Sequence, residues 1–373
     1  MSALPPLKRI LILSREDWDR DEIRPAVREA FQRVLDCGTE ALGAEVFGSE
    51  DEERRVFHTC KSRACPSCGR RATLQWQRER WRDLPEAPYQ HVTFTMPDTL
   101  WPIFQRNRHL LHDLPVLGAQ VIQQWAHEKY GVRLMIMVIP HTFGRHLNFN
   151  CHLHILVSEG GLKEDGSGWT EDARLNSKAI MRMWKYGVIQ YLRAAVRNDI
   201  LVSDTTEADI KRLLKSQYER WWSIDIKRFR TKKHFLGYAG RYARRPPIAQ
   251  HRFQKIGGDE VTFLTRDTKS KRTVETRYAM RDFVKTLGEH IPDRYRHSVR
   301  HFGLLAPRLK ARTHELVFVL MRQERLGKPK RLSWALMRQK TFGVDPLIDA
   351  HGHRMRWIQR IPPHQRPKHP HSP

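Results

Sequence analysis

The stretch Cys151-His152-Leu153-His154-Ile155-Leu156-Val157-Ser158 decides how this chain is read. Leu153, Ile155 and Val157 alternate along it, the pattern of a β-strand. Side chains alternate across a strand, so His152, His154 and Leu156 share one face. Two imidazoles are then held side by side on a rigid element, which is what a divalent-cation site needs from its scaffold. Cys151 points to the opposite face and is left out of that site. Taken alone, the stretch also fits a half-buried strand with two incidental histidines, since the chain contains 20 histidines.

The charge balance narrows the choice. The chain has 373 residues, with 67 Lys and Arg against 41 Asp and Glu, a formal net charge of +26. A surplus of that size points to a polyanionic partner, nucleic acid above all, because each phosphate neutralised releases counterions. An anionic membrane surface is the weaker alternative. No apolar run approaches the roughly 20 residues of a membrane-spanning helix. The apolar residues from Ile10 to Leu13 are too few for a secretory signal. A cytoplasmic location is expected, on the nucleoid when the protein is bound to DNA.

Of the five cysteines, three cluster as Cys60-x4-Cys65-Pro66-Ser67-Cys68-Gly69. In a reducing compartment this spacing favours a structural zinc knuckle over disulfides. Three thiolates need a fourth ligand, and both Cys37 and His58 are available. The chain from Cys37 to Cys68 reads as loop-rich, with an acidic run from Glu50 to Glu53. Residues 15–36 read as a helix ahead of it. Residues 70–82 read as a basic helix after it, on which Arg70 and Arg71 can lie along a phosphate backbone.

Further along, residues 91–96 and 134–139 read as strands. A short link joins the second of these to the histidine strand, so the two should pair antiparallel and bring His141 beside His152. Residues 100–129 and most of 171–219 read as helical, and Trp222 to Lys227 as a strand. A basic helix follows from Lys232 to Arg245 and stops at Pro246-Pro247. On it Tyr238 and Tyr242 are four residues apart, so both hydroxyls emerge on one face. Arg241, Arg244 and Arg245 are placed to grip phosphates, and Gly237 and Gly240 fit a close approach of backbone or nucleotide. Strands are expected at 248–253 and 260–266, a helix near 275–288 carrying Tyr278, and a disordered Pro/His/Arg-rich tail from Ile361.

The histidine pair and the tyrosine pair suit each other chemically. A tyrosine hydroxyl is a weak nucleophile at neutral pH. A divalent ion on His152 and His154 would polarise a scissile phosphate for its attack. The product is a phosphotyrosine link that retains the bond energy for rejoining, and two tyrosines permit two successive attacks.

In this order and spacing the motifs resemble the two-tyrosine HUH rolling-circle transposases of bacterial insertion sequences, the insertion-sequence ninety-one family. The resemblance runs to about Arg308. It covers Cys37-Gly38-Thr39, the knuckle, His91-Val92-Thr93-Phe94-Thr95-Met96-Pro97, His141-Thr142-Phe143-Gly144 and Cys151-His152-Leu153-His154. It continues through Tyr238-x3-Tyr242 with Arg244-Arg245-Pro246-Pro247, then Tyr278 to Phe283 and His301 to Ala306. It implies an α+β chain with a zinc-binding N-terminal module (1–85) and an HUH endonuclease domain (86–308) built on a central antiparallel sheet with flanking helices. A basic, partly disordered C-terminal extension (309–373) would complete it. It implies cleavage and rejoining of single-stranded DNA at element ends and target, assisted by Mg2+ or Mn2+. Carried over, His152 and His154 are the metal pair and Tyr238 and Tyr242 the nucleophiles. His141 is the expected third ligand, ahead of His91. Cys60, Cys65, Cys68 and Cys37 or His58 would hold zinc. One departure stands out: relatives carry a further Cys-x2-Cys where this chain has Ser49 and Glu52, so one zinc rather than two is expected. A plasmid replication initiator or relaxase shares the chemistry, and a non-catalytic basic zinc protein shares the charge.

Overall fold

The histidine strand runs Phe149–Lys163 and lies inside a six-stranded sheet. Val132–Phe143 flanks it on one side and Tyr89–Phe94 on the other. Arg300–Gly303 and Ile224–Phe229 form the outer edges, and Trp169–Glu171 pairs with its far end. Every pairing is antiparallel. This is a computed structural model, and it describes residues 4–267, 270–327 and 332–364.

Alternation sorts the sheet into two faces. Val92, Phe94, Leu134, Ile136, Val138, Leu153, Ile155 and Val157 form one apolar layer with Ile122, Trp184 and Val188, from the helices Leu114–Tyr130 and Ser177–Arg197. Tyr89, Met135, Met137, Ile139 and Leu156 face the other way, onto Phe235, Leu236 and Ala239. These last belong to the tyrosine helix, Lys232–Ala243. Each fully buried residue of this size is worth about 1.5–3 kcal/mol. A one-residue slip would exchange the faces and drive both imidazoles into the apolar layer, so the packing fixes the register. The expected antiparallel pairing is present, with His141 opposite His152.

The chain forms two compact units that interleave in sequence. One comprises Met1–Gln75, Arg244–Arg294 and Lys330–Pro373; the other comprises Trp76–Ala243 and Tyr295–Pro329. The second holds the large sheet. The first contains the helices Pro6–Leu13 and Pro25–Asp36 and two small antiparallel sheets. Strand pairing ties the last segment of the first unit to its start: Arg356–Ile361 lies antiparallel to Ala44–Gly48, which pairs in turn with Glu53–Phe57.

Several local expectations shift accordingly. The stretch expected to be loop-rich between Cys37 and Cys68 contains that hairpin, whose third strand is supplied from the far end of the sequence. Tyr278 lies on a strand, Thr273–Ala279, and the helix begins only at Met280. Thr276 and Tyr278 alternate with Glu275 and Arg277 and pair with Glu260–Arg266, which overrides the helical reading. The strand expected at 248–253 forms at Phe253–Gly257, and the one expected at Trp222 to Lys227 forms at Ile224–Phe229. Ile361, where the disordered tail was expected to start, ends a strand. Residues 365–373 of that tail lie outside the described residues. Among the described residues no helix is long and apolar enough to cross a membrane.

Gly303 ends the edge strand Arg300–Gly303 with φ of 55°, in the left-handed region. A Cβ there would collide with the carbonyl oxygen of Leu134 on the adjacent strand. Gly303→Ala should therefore destabilise the protein by about 2–4 kcal/mol, read as a lowered midpoint in urea denaturation. An unchanged midpoint would show that the edge relaxes freely.

Candidate functional site

The tyrosine helix is anchored by one face. Phe235 is fully buried and stacks on Tyr89 at 4.5 Å between ring centroids. With Leu236, Ala239 and Ala243 packed into the same layer, Tyr238 and Tyr242 are turned toward the histidine strand. The Tyr242 ring lies 3.8 Å from that of His154, centroid to centroid. The Tyr242 hydroxyl donates to Tyr238 Oη at 3.0 Å. Burial raises the Tyr242 phenol above its ordinary range, and the bond to Tyr238 adds to the effect. Gly237, expected to admit a close approach, has nothing from outside its own helix within 4 Å of the position a Cβ would take, among the described residues.

His141, His152 and His154 converge, with one ring nitrogen from each lying within 4.8 Å of the others. His152 Nδ1 donates to the Asn150 carbonyl at 2.8 Å. That leaves the lone pair on Nε2, 3.1 Å from His154 Nε2. Nδ1 of His154 meets Nε2 of His91 at 2.9 Å. His141 Nε2 donates to the Tyr242 carbonyl at 3.0 Å, which ties this ring to the tyrosine helix. His91 thus sits behind His154 rather than in the convergent trio, with its ring 5.1 Å from each tyrosine ring. Burial holds His91 down to about 3, with Lys227 and His152 adding to the effect. Burial also lowers His152. Both are therefore neutral at physiological pH, the form of imidazole that binds metal. Cys151 is buried in the opposite layer, beside Met96. Sequence reasoning missed two participants. Asn150 fixes the His152 ring, and Lys227, from the edge strand, donates to Tyr238 Oη at 3.2 Å. Neither carries a local motif; Asn150 acts through its backbone carbonyl two residues before His152, and strand pairing and packing bring Lys227 to the site.

The arginines expected to contact DNA differ in what they do within the protein. The Arg241 guanidinium lies 5.1 Å from the centre of the Tyr238 ring. Arg244 and Arg245 are exposed just past the helix end. Arg70 is exposed and stacks over Phe342 at 5.6 Å. Arg71 donates to Thr59, next to Cys60, and so braces the cysteine cluster.

That cluster contains Cys37, Cys60, Cys65 and Cys68, all buried, with the four sulfurs within 4.8 Å of one another. Cys37 and Cys60 lie 3.6 and 3.7 Å from Cys68, sulfur to sulfur. Zinc binds sulfur at about 2.3 Å, which sets tetrahedral edges of about 3.8 Å. The Ser62 and Cys60 amides point at the sulfurs of Cys60 and Cys37, the donor pattern that stabilises thiolates. Cys68 is held well below the usual thiol range by the surrounding Cys37, Cys60 and Cys65. His58 is engaged elsewhere, through Nδ1 with the Leu42 carbonyl and through Nε2 with Glu45. Cys37 therefore completes the set. Where a second Cys-x2-Cys would stand, Ser49 donates to the buried Asp349 carboxylate at 2.7 Å, and Arg54 spans from Glu52 to the carbonyls of Pro346 and Ile348. Hydrogen bonds to the C-terminal segment thus hold that turn.

A convergent imidazole trio facing paired tyrosine hydroxyls, on a chain that also has a four-thiol cluster, fits a DNA transposase. Residues 135–313 match the family model described as putative transposase, and residues 12–96 match the transposase zinc-binding domain. The chain is similar to the transposase for insertion sequence element IS801 of Pseudomonas savastanoi pv. phaseolicola. They are 31% identical over 91% of this chain and 86% of that protein. A putative transposase, y4qJ, of Sinorhizobium fredii is 26% identical over 76% of each chain. The chain belongs to the insertion-sequence ninety-one family of transposases. No solved structure matches it. The four-cysteine cluster falls inside the zinc-binding domain, and its donor set fits a structural zinc ion.

Purified protein should carry about one equivalent of zinc, as a single closed four-sulfur site holds one ion. Cys68→Ser should lose the zinc and His58→Ala should keep it, measured by elemental analysis. Zinc retained in Cys68→Ser, or lost in His58→Ala, would show that the ligand set is wrong.

Proposed function

We propose that this transposase nicks and rejoins single-stranded DNA at insertion-sequence ends by tyrosine transesterification, in a rolling-circle pathway. The observation that carries this is the meeting of the two constellations on one face of the large sheet, with the Tyr242 ring against His154 and both tyrosine hydroxyls in one hydrogen bond.

His141, His152 and His154 would hold one Mg2+ or Mn2+, whose chemistry is to polarise the scissile phosphate and offset its growing charge. His91 keeps His154 turned so that Nε2 faces this site, and Asn150 does the same for His152. A tyrosine oxygen attacks the phosphorus and the bond to the 3′-oxygen breaks. A 5′-phosphotyrosine and a free 3′-hydroxyl result, and attack by a 3′-hydroxyl reverses the step on the same or another strand. Arg241, Arg244 and Arg245 supply positive charge near the tyrosines for the DNA backbone, and Arg70 does so on the zinc-binding domain. The two matched segments would act as a zinc-stabilised DNA-binding module and a nuclease. In a bacterial cell the protein would work in the cytoplasm, on the nucleoid.

Incubation with a single-stranded oligonucleotide carrying the element end, with Mn2+, tests this. The wild-type protein should give a denaturation-resistant protein–DNA adduct, and Tyr238→Phe combined with Tyr242→Phe should give none. His152→Ala should slow cleavage by about 10²–10³-fold, as expected when several kcal/mol of phosphate stabilisation are lost. His91→Ala should weaken Mn2+ binding by roughly 10–100-fold, the usual effect of losing a residue that orients a ligand. An adduct that persists in the double tyrosine variant, or cleavage indifferent to EDTA, would overturn the proposal.

A further inference from the structure

The two tyrosines differ in their hydrogen bonding. Tyr238 Oη receives two donors, the Lys227 ammonium at 3.2 Å and the Tyr242 hydroxyl at 3.0 Å. The Tyr242 hydroxyl instead gives its proton to that bond, and its ring is pressed against His154. Lys227 comes from the edge strand Ile224–Phe229, paired opposite His91. Asp225, two residues before it on the same strand face, lies 3.7 Å from its ammonium. The Lys227 ammonium and the Arg241 guanidinium also lie over the Tyr238 ring, at 5.4 and 5.1 Å from its centre. From the sheet, His91 meets the same ring edge-on.

We infer that Lys227 is a catalytic residue of this site and that it fixes the order of attack, with Tyr238 first and Tyr242 second. This rests on the two tyrosines being the nucleophiles. A phenolate oxygen has three lone pairs. Two can accept the donors from Lys227 and Tyr242, and the third is left to face phosphorus. As Tyr238 attacks, its phenol proton passes to water, the new O–P bond forms, the bond to the 3′-oxygen breaks, and the departing oxygen takes a proton from water. The Lys227 ammonium is a charge-assisted donor aimed at the reacting oxygen, so it can offset charge that develops there during the transfer.

The same geometry supplies the handover. Once Tyr238 Oη is esterified it becomes a bridging ester oxygen and a poor acceptor. The bond from the Tyr242 hydroxyl to that oxygen is then weakened, and the hydroxyl can turn to the next phosphate. Before that, attack by Tyr242 would break its bond to Tyr238 and leave that oxygen with one donor fewer. The order therefore follows from which hydroxyl donates and which accepts.

The test is to locate the first adduct. Wild-type protein is mixed with the single-stranded end oligonucleotide and Mn2+ and quenched within one turnover. It is then digested with nuclease and trypsin, and the modified tyrosine is identified by mass spectrometry. The expected site is Tyr238. Lys227→Gln should slow formation of that adduct by about 10- to 100-fold, the usual effect of losing a charged hydrogen bond, and should divert part of it to Tyr242. Lys227→Arg should restore the Tyr238 adduct, which a merely structural defect would not allow. Unchanged Mn2+ affinity and melting temperature in Lys227→Gln would show that the fold and metal site are intact. A first adduct on Tyr242 in the wild type, or an unchanged rate and position in Lys227→Gln, would overturn the inference. No adduct on either tyrosine would instead remove the assignment of the nucleophiles, and this inference with it.

Discussion

The strict alternation of side chains along one strand, Phe149–Lys163, is the constraint on which the unit holding the large sheet depends. Leu153, Ile155 and Val157 are locked into the layer under Leu114–Tyr130 and Ser177–Arg197, and so His152 and His154 must face the other way. The same packing that stabilises the sheet aims the imidazoles. No separate device is needed to keep them apart from the apolar layer, because a slip of one residue would carry two polar rings into that layer and three aliphatic side chains out of it.

On the polar side, the tyrosine helix repeats this logic with a different period. Phe235, Leu236, Ala239 and Ala243 face the sheet, which leaves Tyr238 and Tyr242 along the flank that overlooks the histidines. Hydrogen bonds then tie the two elements together: His141 binds the Tyr242 carbonyl, and His91 bridges toward His154 while its ring packs against both tyrosines. The imidazoles and the tyrosines belong to one connected network, so a shift of the helix would be felt at the imidazoles.

The zinc-binding domain solves a different problem. Its hairpin is small and half exposed, and two staples hold it. One is the four-sulfur cluster, braced by Arg71 and by Lys8, which donates to the Cys37 carbonyl. The other is the set of hydrogen bonds from Ser49 and Arg54 to the C-terminal segment. The second does for the turn what a metal would do, by polar contacts that satisfy a buried carboxylate.

The sequence by itself determined the elements whose signals are local. Alternation gave the histidine strand, a four-residue step gave the tyrosine pair on one helix face, and cysteine spacing gave the knuckle. The short link before Phe149 even gave the register of His141 against His152, because a tight connection leaves an antiparallel pair little freedom. Only the tertiary structure decided what depends on distant pairing. The choice of Cys37 over His58 turned on His58 being occupied by Leu42 and Glu45. Tyr278 fell on a strand because Glu260–Arg266 was there to pair with it. The strand Arg356–Ile361 joined a hairpin some 300 residues earlier. Lys227 reached Tyr238, and His91 moved behind His154, through strand order across the sheet. Periodicity and spacing report on neighbours along the chain. Which groups share a site is set by contacts whose energy the folded chain alone realises.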